Sequence, residues 1–286
     1  KMEPTILISG LPGKMASLIA EGSLKAGLKL APLALGAPEN EGAQIRVLDQ
    51  TIAIVSIQNP AELVNLLVHR ELRPVVVDYS VPSAITENVE FYCKHELPFV
   101  MGTSGGNYSV IAQQVAAAGN NAVLSANMAP PLVVLRAMFE FAAKQFPGSL
   151  AGFNLNVIES HQASKQDCSA TAKAMLPLFE TLGAEVDNSN FSSIRDPQTQ
   201  RVLGIPESAL AGHAWHTYQL EAADKGVRLE FTHNVNGRDV YVDGTLRACR
   251  FLDSQRELGV TSRIFSMADV LAACTTSTLL YSKSKN

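Results

Sequence analysis

Two periods of hydrophobicity alternate along the first half of the chain. Short β-branched runs read as strands, and patterns near 3.6 residues read as helices, the signature of parallel βαβ units. Thr5–Ser9 predicts a strand, Lys14–Ala26 a helix, Lys29–Leu35 a second strand and Ile45–Ile57 a strand pair or extended insertion. Asn59-Pro60 opens a helix that runs to Arg70, and the apolar Pro74–Asp78 run is bounded as a buried strand should be. Helix Pro82–Lys94, strand Pro98–Met101, helix Tyr108–Ala118 and strand Ala122–Ala126 complete the alternation. It amounts to about five or six parallel strands.

The pattern changes after Pro130-Pro131. A strongly apolar helix, Leu132–Gln145, stops at Pro147-Gly148, and an alternating strand, Phe153–Glu159, follows. Helix Thr171–Leu182, strands near Val227–His233 and Asp239–Val242, and helix Gly244–Asp253 make this half α+β. The expected division is an α/β domain over 1–128, an α+β domain over 129–239, and a returning segment, 240–286, whose Ser266–Leu280 stretch is helical.

Composition narrows the function. With 286 residues and 47% apolar content the chain is a packed globular protein. A net charge of −4 from 23 basic and 27 acidic residues, with no basic block, leaves no footprint for nucleic acid. Cys93, Cys168, Cys249 and Cys274 lack any ligand spacing, so neither a metal site nor a disulfide framework is expected, and a reducing compartment fits. Residues 97–135 carry no charge, but Gly105-Gly106, Asn120-Asn121 and Pro130-Pro131 interrupt them, so no membrane span is expected. The first apolar run is of strand length and leads straight into a glycine turn, so no signal peptide is expected there.

The chemistry of the first domain begins at that turn. Gly10, Pro12, Gly13, Lys14 and Met15 belong to a Gly-x-x-Gly-x-x-Ala sequence between strand and helix, where backbone can approach a pyrophosphate and helix N–H groups are free. Pro12 stands where the dinucleotide fingerprint often has glycine, so the motif is also compatible with an ordinary βα turn. Leu33–Ala37 supplies no carboxylate for ribose hydroxyls; with Lys14 as a candidate partner for a 2′-phosphate, NADPH is favoured over NADH. Asp78, Tyr79 and Ser80, then Gly102, Thr103 and Ser104, and finally Asn127 follow strands at the edge where ligands bind.

In the second domain, Glu159–Ala172 concentrates His161, Gln162 and Lys165 just before a helix start at Ser169, Ala170 and Thr171. Lysine and free helix N–H groups suit a small dicarboxylate; a surface loop with a capped helix is the bland alternative. His233 and Arg238 are further candidates, with a core histidine and a surface arginine as their ordinary readings. Ala211–Tyr218, with His213 and His216, reads as packing, and Cys168 as a small buried side chain.

With these residues in view, the sequence resembles the 4-hydroxy-tetrahydrodipicolinate (dihydrodipicolinate) reductases in their plant or algal form. The likeness runs through Gly10–Ala16, Val77–Ala84, Phe99–Gly106, Glu159–Ala172 and Phe231–Arg238, and the Glu-Ser-His-Gln-Ala-Ser-Lys string is its most specific part. It implies a Rossmann-like cofactor domain, a substrate domain with a mixed sheet, and a homodimer or homotetramer formed through that sheet. It also implies hydride transfer from nicotinamide to a conjugated imine, protonation by Lys165 with His161 assisting, and substrate binding by Ser169, Ala170, Thr171, Gln162 and Arg238. Ala170 replaces the family's glycine, and its Cβ would crowd the substrate if that glycine had a positive φ or touched the ligand closely. A plant or algal source implies the chloroplast stroma, a bacterial one the cytoplasm. A reductase of another small imine or carbonyl acid, or a non-catalytic NADPH-binding regulator, stays open on the sequence.

Overall fold

The computed structural model describes residues 3–69 and 72–273. In chain order its strands are β1 (Thr5–Ser9), β2 (Lys29–Leu30), β3 (Leu33–Leu35), β4 (Gln44–Val47), β5 (Gln50–Val55), β6 (Pro74–Asp78), β7 (Phe99–Met101) and β8 (Ala122–Leu124). After these come β9 (Phe153–His161), β10 (Glu185–Ile194), β11 (His213–Ala222), β12 (Arg228–Asn236) and β13 (Ile264–Phe265). The chain divides into two units, one taking in the described residues up to Pro130 and again from Tyr241 onward, the other Pro131–Val240.

The first unit is built on a sheet ordered β13-β8-β7-β6-β1-β3-β5-β4, with β2 also on β1. All its pairings are parallel except the β4–β5 hairpin. Strand β6 is buried at every residue, the mark of a strand covered on both faces. The expected single strand Lys29–Leu35 is split at Ala31-Pro32, because Pro32 has no N–H to continue the ladder. From β1 the chain moves to β3 and β5 on one side, then crosses to β6, β7 and β8 on the other, so the turn after β1 lies where the strand order reverses.

The expected strand Asp239–Val242 is corrected. Val240–Glu257 is one helix, because burial of Leu246, Ala248, Cys249, Phe251 and Leu252 on one side outweighs the local β-preference of Val240-Tyr241-Val242. Gly244 lets that helix approach the backbone, since a Cβ there would lie 1.8 Å from the Met128 carbonyl oxygen. The closing segment adds β13 to the sheet beside β8, and residues 267–273 are helical. The rest of the expected helix to Leu280, and Arg70 at the end of another, lie outside the described residues.

The second unit has a four-stranded sheet ordered β10-β9-β11-β12, parallel between β9 and β10 and antiparallel elsewhere. Its buried face continues into an aromatic cluster in which Phe139 packs on Phe179 at 4.9 Å and Phe179 on Tyr218 at 5.4 Å. The expected helix Thr171–Leu182 is two short ones, Ala170–Lys173 and Leu176–Thr181, the second with a proline in its first turn. Strand β10 was not foreseen: its polar Glu-Val-Asp-Asn-Ser-Asn stretch hides the alternation.

Candidate active site

Along β9, alternate residues face the core. Leu155 and Val157 are apolar, but the next two inward positions are Glu159 and His161, so the buried face ends in a carboxylate and an imidazole. Antiparallel pairing sets His216 of β11 opposite Glu159, and His233 of β12 opposite His216. The rings form a row: His161 lies 5.1 Å from His216 and His216 lies 4.7 Å from His233 between centroids.

Glu159 is fully buried. Its Oε2 accepts the Ser169 N–H at 2.7 Å, and its Oε1 accepts from Ser193 at 2.9 Å and from the Arg195 guanidinium. Burial works against its charge, yet the bonds from Arg195, Ser169 and Ser193 hold its carboxyl below the usual range. His161 Nδ1 and His216 Nε2 stand 3.8 Å and 4.0 Å from Oε2, too far for hydrogen bonds. Burial, opposed by Glu159 but reinforced by Arg195 and Lys165, lowers His161 to about 4. Burial likewise lowers His233 to about 4, and His216 falls further. All three are neutral imidazoles near pH 7. Glu159, His161 and His216 are close enough to suggest a metal triad, but the adjoining Arg195 and Lys165 oppose a divalent cation.

Lys165 is half-buried, and its side chain has no carboxylate partner among the described residues. Ser169 caps the single turn Ala170–Lys173 by accepting the Ala172 N–H, which leaves first-turn N–H groups of Ala170 and Thr171 outside the helical bonds. Ala170 is exposed and helical, and its φ is not positive. Arg238 follows β12 with its guanidinium beside Gly212, and Gln162 is half-buried, its carbonyl accepting the Lys165 N–H at 3.0 Å. His213, by contrast, is a packing residue, bonded to Ser160 and the Ala209 carbonyl.

In the first unit a cavity of about 650 Å³ lies at the carboxyl ends of β1, β3, β5 and β6. Gly10, Pro12, Gly13, Tyr79 and Ser80 line it, as expected of cofactor contacts. Gly10 has a φ of 111° and lies so close to the Tyr79 carbonyl that a Cβ would sit 2.3 Å from its oxygen. The helix Lys14–Lys25 begins at Gly13 without a side-chain cap, leaving its first N–H groups available to an anion. Size, position and exposed backbone donors together fit a dinucleotide.

Lys14, Met15, Gly102, Ser104 and Asn127 are not among the residues lining the cavity. Gly102 makes room for the Tyr79 ring, and Asn127 accepts the Ala129 N–H. The side chains of Asp78 and Thr103, also expected at the cofactor, are buried and bonded to each other at 2.8 Å. Glu39 was missed: it lies four residues past β3, beyond the window in which a ribose-binding acid was sought, and it lines the cavity. Arg195 and His216 were missed too, because only the pairing of β9 with β10 and β11 brings them to Glu159.

Residues 4–128 match the family described as dihydrodipicolinate reductase, N-terminus, and residues 132–271 its C-terminus. The chain is 40% identical over 267 residues to the probable 4-hydroxy-tetrahydrodipicolinate reductase 1, chloroplastic, of Oryza sativa, covering 93% of this chain and 78% of that one. It is 38% identical over 268 residues to 4-hydroxy-tetrahydrodipicolinate reductase 1, chloroplastic, of Arabidopsis thaliana, covering 93% and 77%. The fold is similar to that of dipicolinate-bound dihydrodipicolinate reductase from Paenisporosarcina sp. TG-14, with a TM-score of 0.63 and 15% identity over 93% of this chain and 98% of that one.

Proposed function

The chain belongs to the dihydrodipicolinate reductase family, and from that premise we propose that it reduces 4-hydroxy-tetrahydrodipicolinate to tetrahydrodipicolinate with NAD(P)H, in lysine and diaminopimelate biosynthesis. The observation that carries the assignment of roles is a neutral His161 beside a Lys165 with no carboxylate partner among the described residues. Loss of the 4-hydroxyl as water turns the substrate into the conjugated imine dihydrodipicolinate, and reduced nicotinamide, when bound, would supply a hydride to that imine. Lys165 binds a substrate carboxylate and delivers the proton to the neighbouring carbon. His161, uncharged near neutral pH, orients the ring. Ala170 and Thr171 offer N–H groups, and Ser169 and Thr171 hydroxyls, to a carboxylate, with Gln162 and Arg238 as further polar contacts.

NADPH is the preferred reductant in this reading, supported by Lys14 directly after the lining residue Gly13. Glu39 in the cavity opposes a 2′-phosphate and keeps NADH usable. A homodimer formed through the β9–β12 sheet and a chloroplast stromal location belong to the same proposal, the latter supported by the names of the two plant relatives.

The test is NADPH and then NADH oxidation in a coupled assay, with substrate formed in place by condensing pyruvate with aspartate semialdehyde. Lys165→Ala and His161→Ala should each lose roughly 10²- to 10⁴-fold in turnover, the range for general acid–base groups, with NADPH affinity kept. Lys14→Ala should lower the NADPH/NADH preference and Glu39→Gln should raise it. Turnover that needs neither condensation partner, or survives both alanine variants, defeats the assignment.

A further inference from the structure

Between the end of β9 at His161 and the turn beginning at Ala170 the backbone has no regular structure, although it carries Lys165. One backbone bond within it, Lys165 N–H to the Gln162 carbonyl at 3.0 Å, makes a local turn. What shapes the rest comes from a neighbouring strand. Arg195 follows β10 directly, and its Nε donates to the Lys165 carbonyl at 2.8 Å while Nη2 donates to the Asp167 carbonyl at 3.3 Å. Nη2 also donates to Glu159 Oε1, and Nη1 to the Ile194 carbonyl at 3.0 Å, so every guanidinium nitrogen is engaged. Glu159 meanwhile receives the Ser169 N–H on its other oxygen.

We propose that the Arg195–Glu159 pair is a positioning device for the reaction: Arg195 sets the backbone that carries Lys165, and Glu159 sets the N–H frame at Ser169–Thr171. The device ties both functional ends of an irregular segment to adjacent parallel strands, Glu159 lying on β9 and Arg195 just beyond β10. A planar fork is needed, because it must reach a carboxylate and three carbonyl oxygens in different directions, which a lysine ammonium cannot do from one rotamer. Glu159 keeps its charge in a buried place because the guanidinium and two further donors surround it. The neutral imidazoles of His161 and His216 face the same carboxylate without hydrogen-bonding it, so they do not duplicate the tie.

This inference rests on the proposed role of Lys165, and the experiment separates the two. Arg195→Lys keeps a cation for Glu159 and removes the fork. It should fold, melt within a few degrees of the parent, bind NADPH unchanged, and lose about 10- to 100-fold in kcat, as expected for a misplacement near 1 Å. Because proton delivery is the step disturbed, the solvent isotope effect on kcat should rise. Arg195→Ala should lose more and regain part of its kcat with added guanidinium. A lowered melting temperature with parental kcat and isotope effect, in either variant, makes the pair a structural tie only and overturns the proposal; so does failure of guanidinium to restore Arg195→Ala when Arg195→Lys is fully active. Lys165→Ala is measured alongside. If it keeps parental turnover, the reading of Lys165 fails; if it loses turnover while Arg195→Lys does not, only the positioning role fails.

Discussion

Among the described residues each unit buries one carboxylate completely near the carboxyl end of a strand, Asp78 in the first and Glu159 in the second. Asp78 is surrounded by neutral donors. Ser80 N–H, Ser80 hydroxyl and Thr103 hydroxyl bond Oδ1 at 2.9, 2.7 and 2.8 Å, and Asn88 and Tyr92 bond Oδ2 at 3.0 and 2.7 Å. The result is a closed knot that joins β6, the following turn and the helix Ile85–Lys94. Glu159 has fewer donors but one of them is a guanidinium, and its partners lead outward to Lys165, Asp167 and Ser169. Burial alone therefore does not mark a functional acid. Two partners of Asp78, Ser80 and Asn88, themselves line the cavity, so what separates the two acids is their donors: all neutral around Asp78, a guanidinium among those of Glu159.

The largest effect that would sharpen this contrast is on stability. Asp78→Ala strips an acceptor from five donors and should cost on the order of 3 kcal/mol or more in urea unfolding, since unsatisfied buried groups cost about 1–3 kcal/mol each. Glu159→Gln should instead stay folded and lose turnover. The contrast breaks if the Asp78 variant unfolds like the parent, or if the Glu159 variant keeps full activity.

A smaller effect follows from pH. Because His161 and His233 titrate near 4 in the folded protein, and His216 lower still, the unfolded chain binds protons between about pH 6.5 and 4 that the native one does not. Stability from these imidazoles is complete above about 6.5 and is lost as pH falls towards 4. Urea midpoints at pH 7, 6 and 5 should decline, and His216→Phe should flatten that decline. An identical slope in parent and variant would remove the histidine row from the acid sensitivity.

The smallest effect concerns the departure from the family pattern. Ala170→Gly should leave substrate KM within about twofold and cost under ~1 kcal/mol, since Ala170 is exposed and its backbone is already helical. A gain of tenfold or more in kcat/KM would mean that the Ala170 methyl obstructs the substrate after all.

Much of the frame was legible because it depends on local period. Buried runs such as Pro74–Asp78 and the turn at Gly10–Gly13 announce a parallel sheet and its ligand edge within a few residues. The Glu159–Ala172 string likewise carried His161, Lys165 and Ser169 together, because they share one loop. What the chain could not state locally is which strands become neighbours. Arg195 is 36 positions from Glu159 and follows a polar strand that reads as loop, while His216 sat in a segment that read as packing. Pairing of β9 with β10 and β11 brought both of them to Glu159, and the Asp78 cluster buried two side chains expected at the cofactor. Sequence determined the elements and the chemistry available, because periodicity and turn residues act over short range. Only the tertiary structure decided which charges meet and which are withdrawn from ligand, because burial and register are properties of residues far apart in the chain.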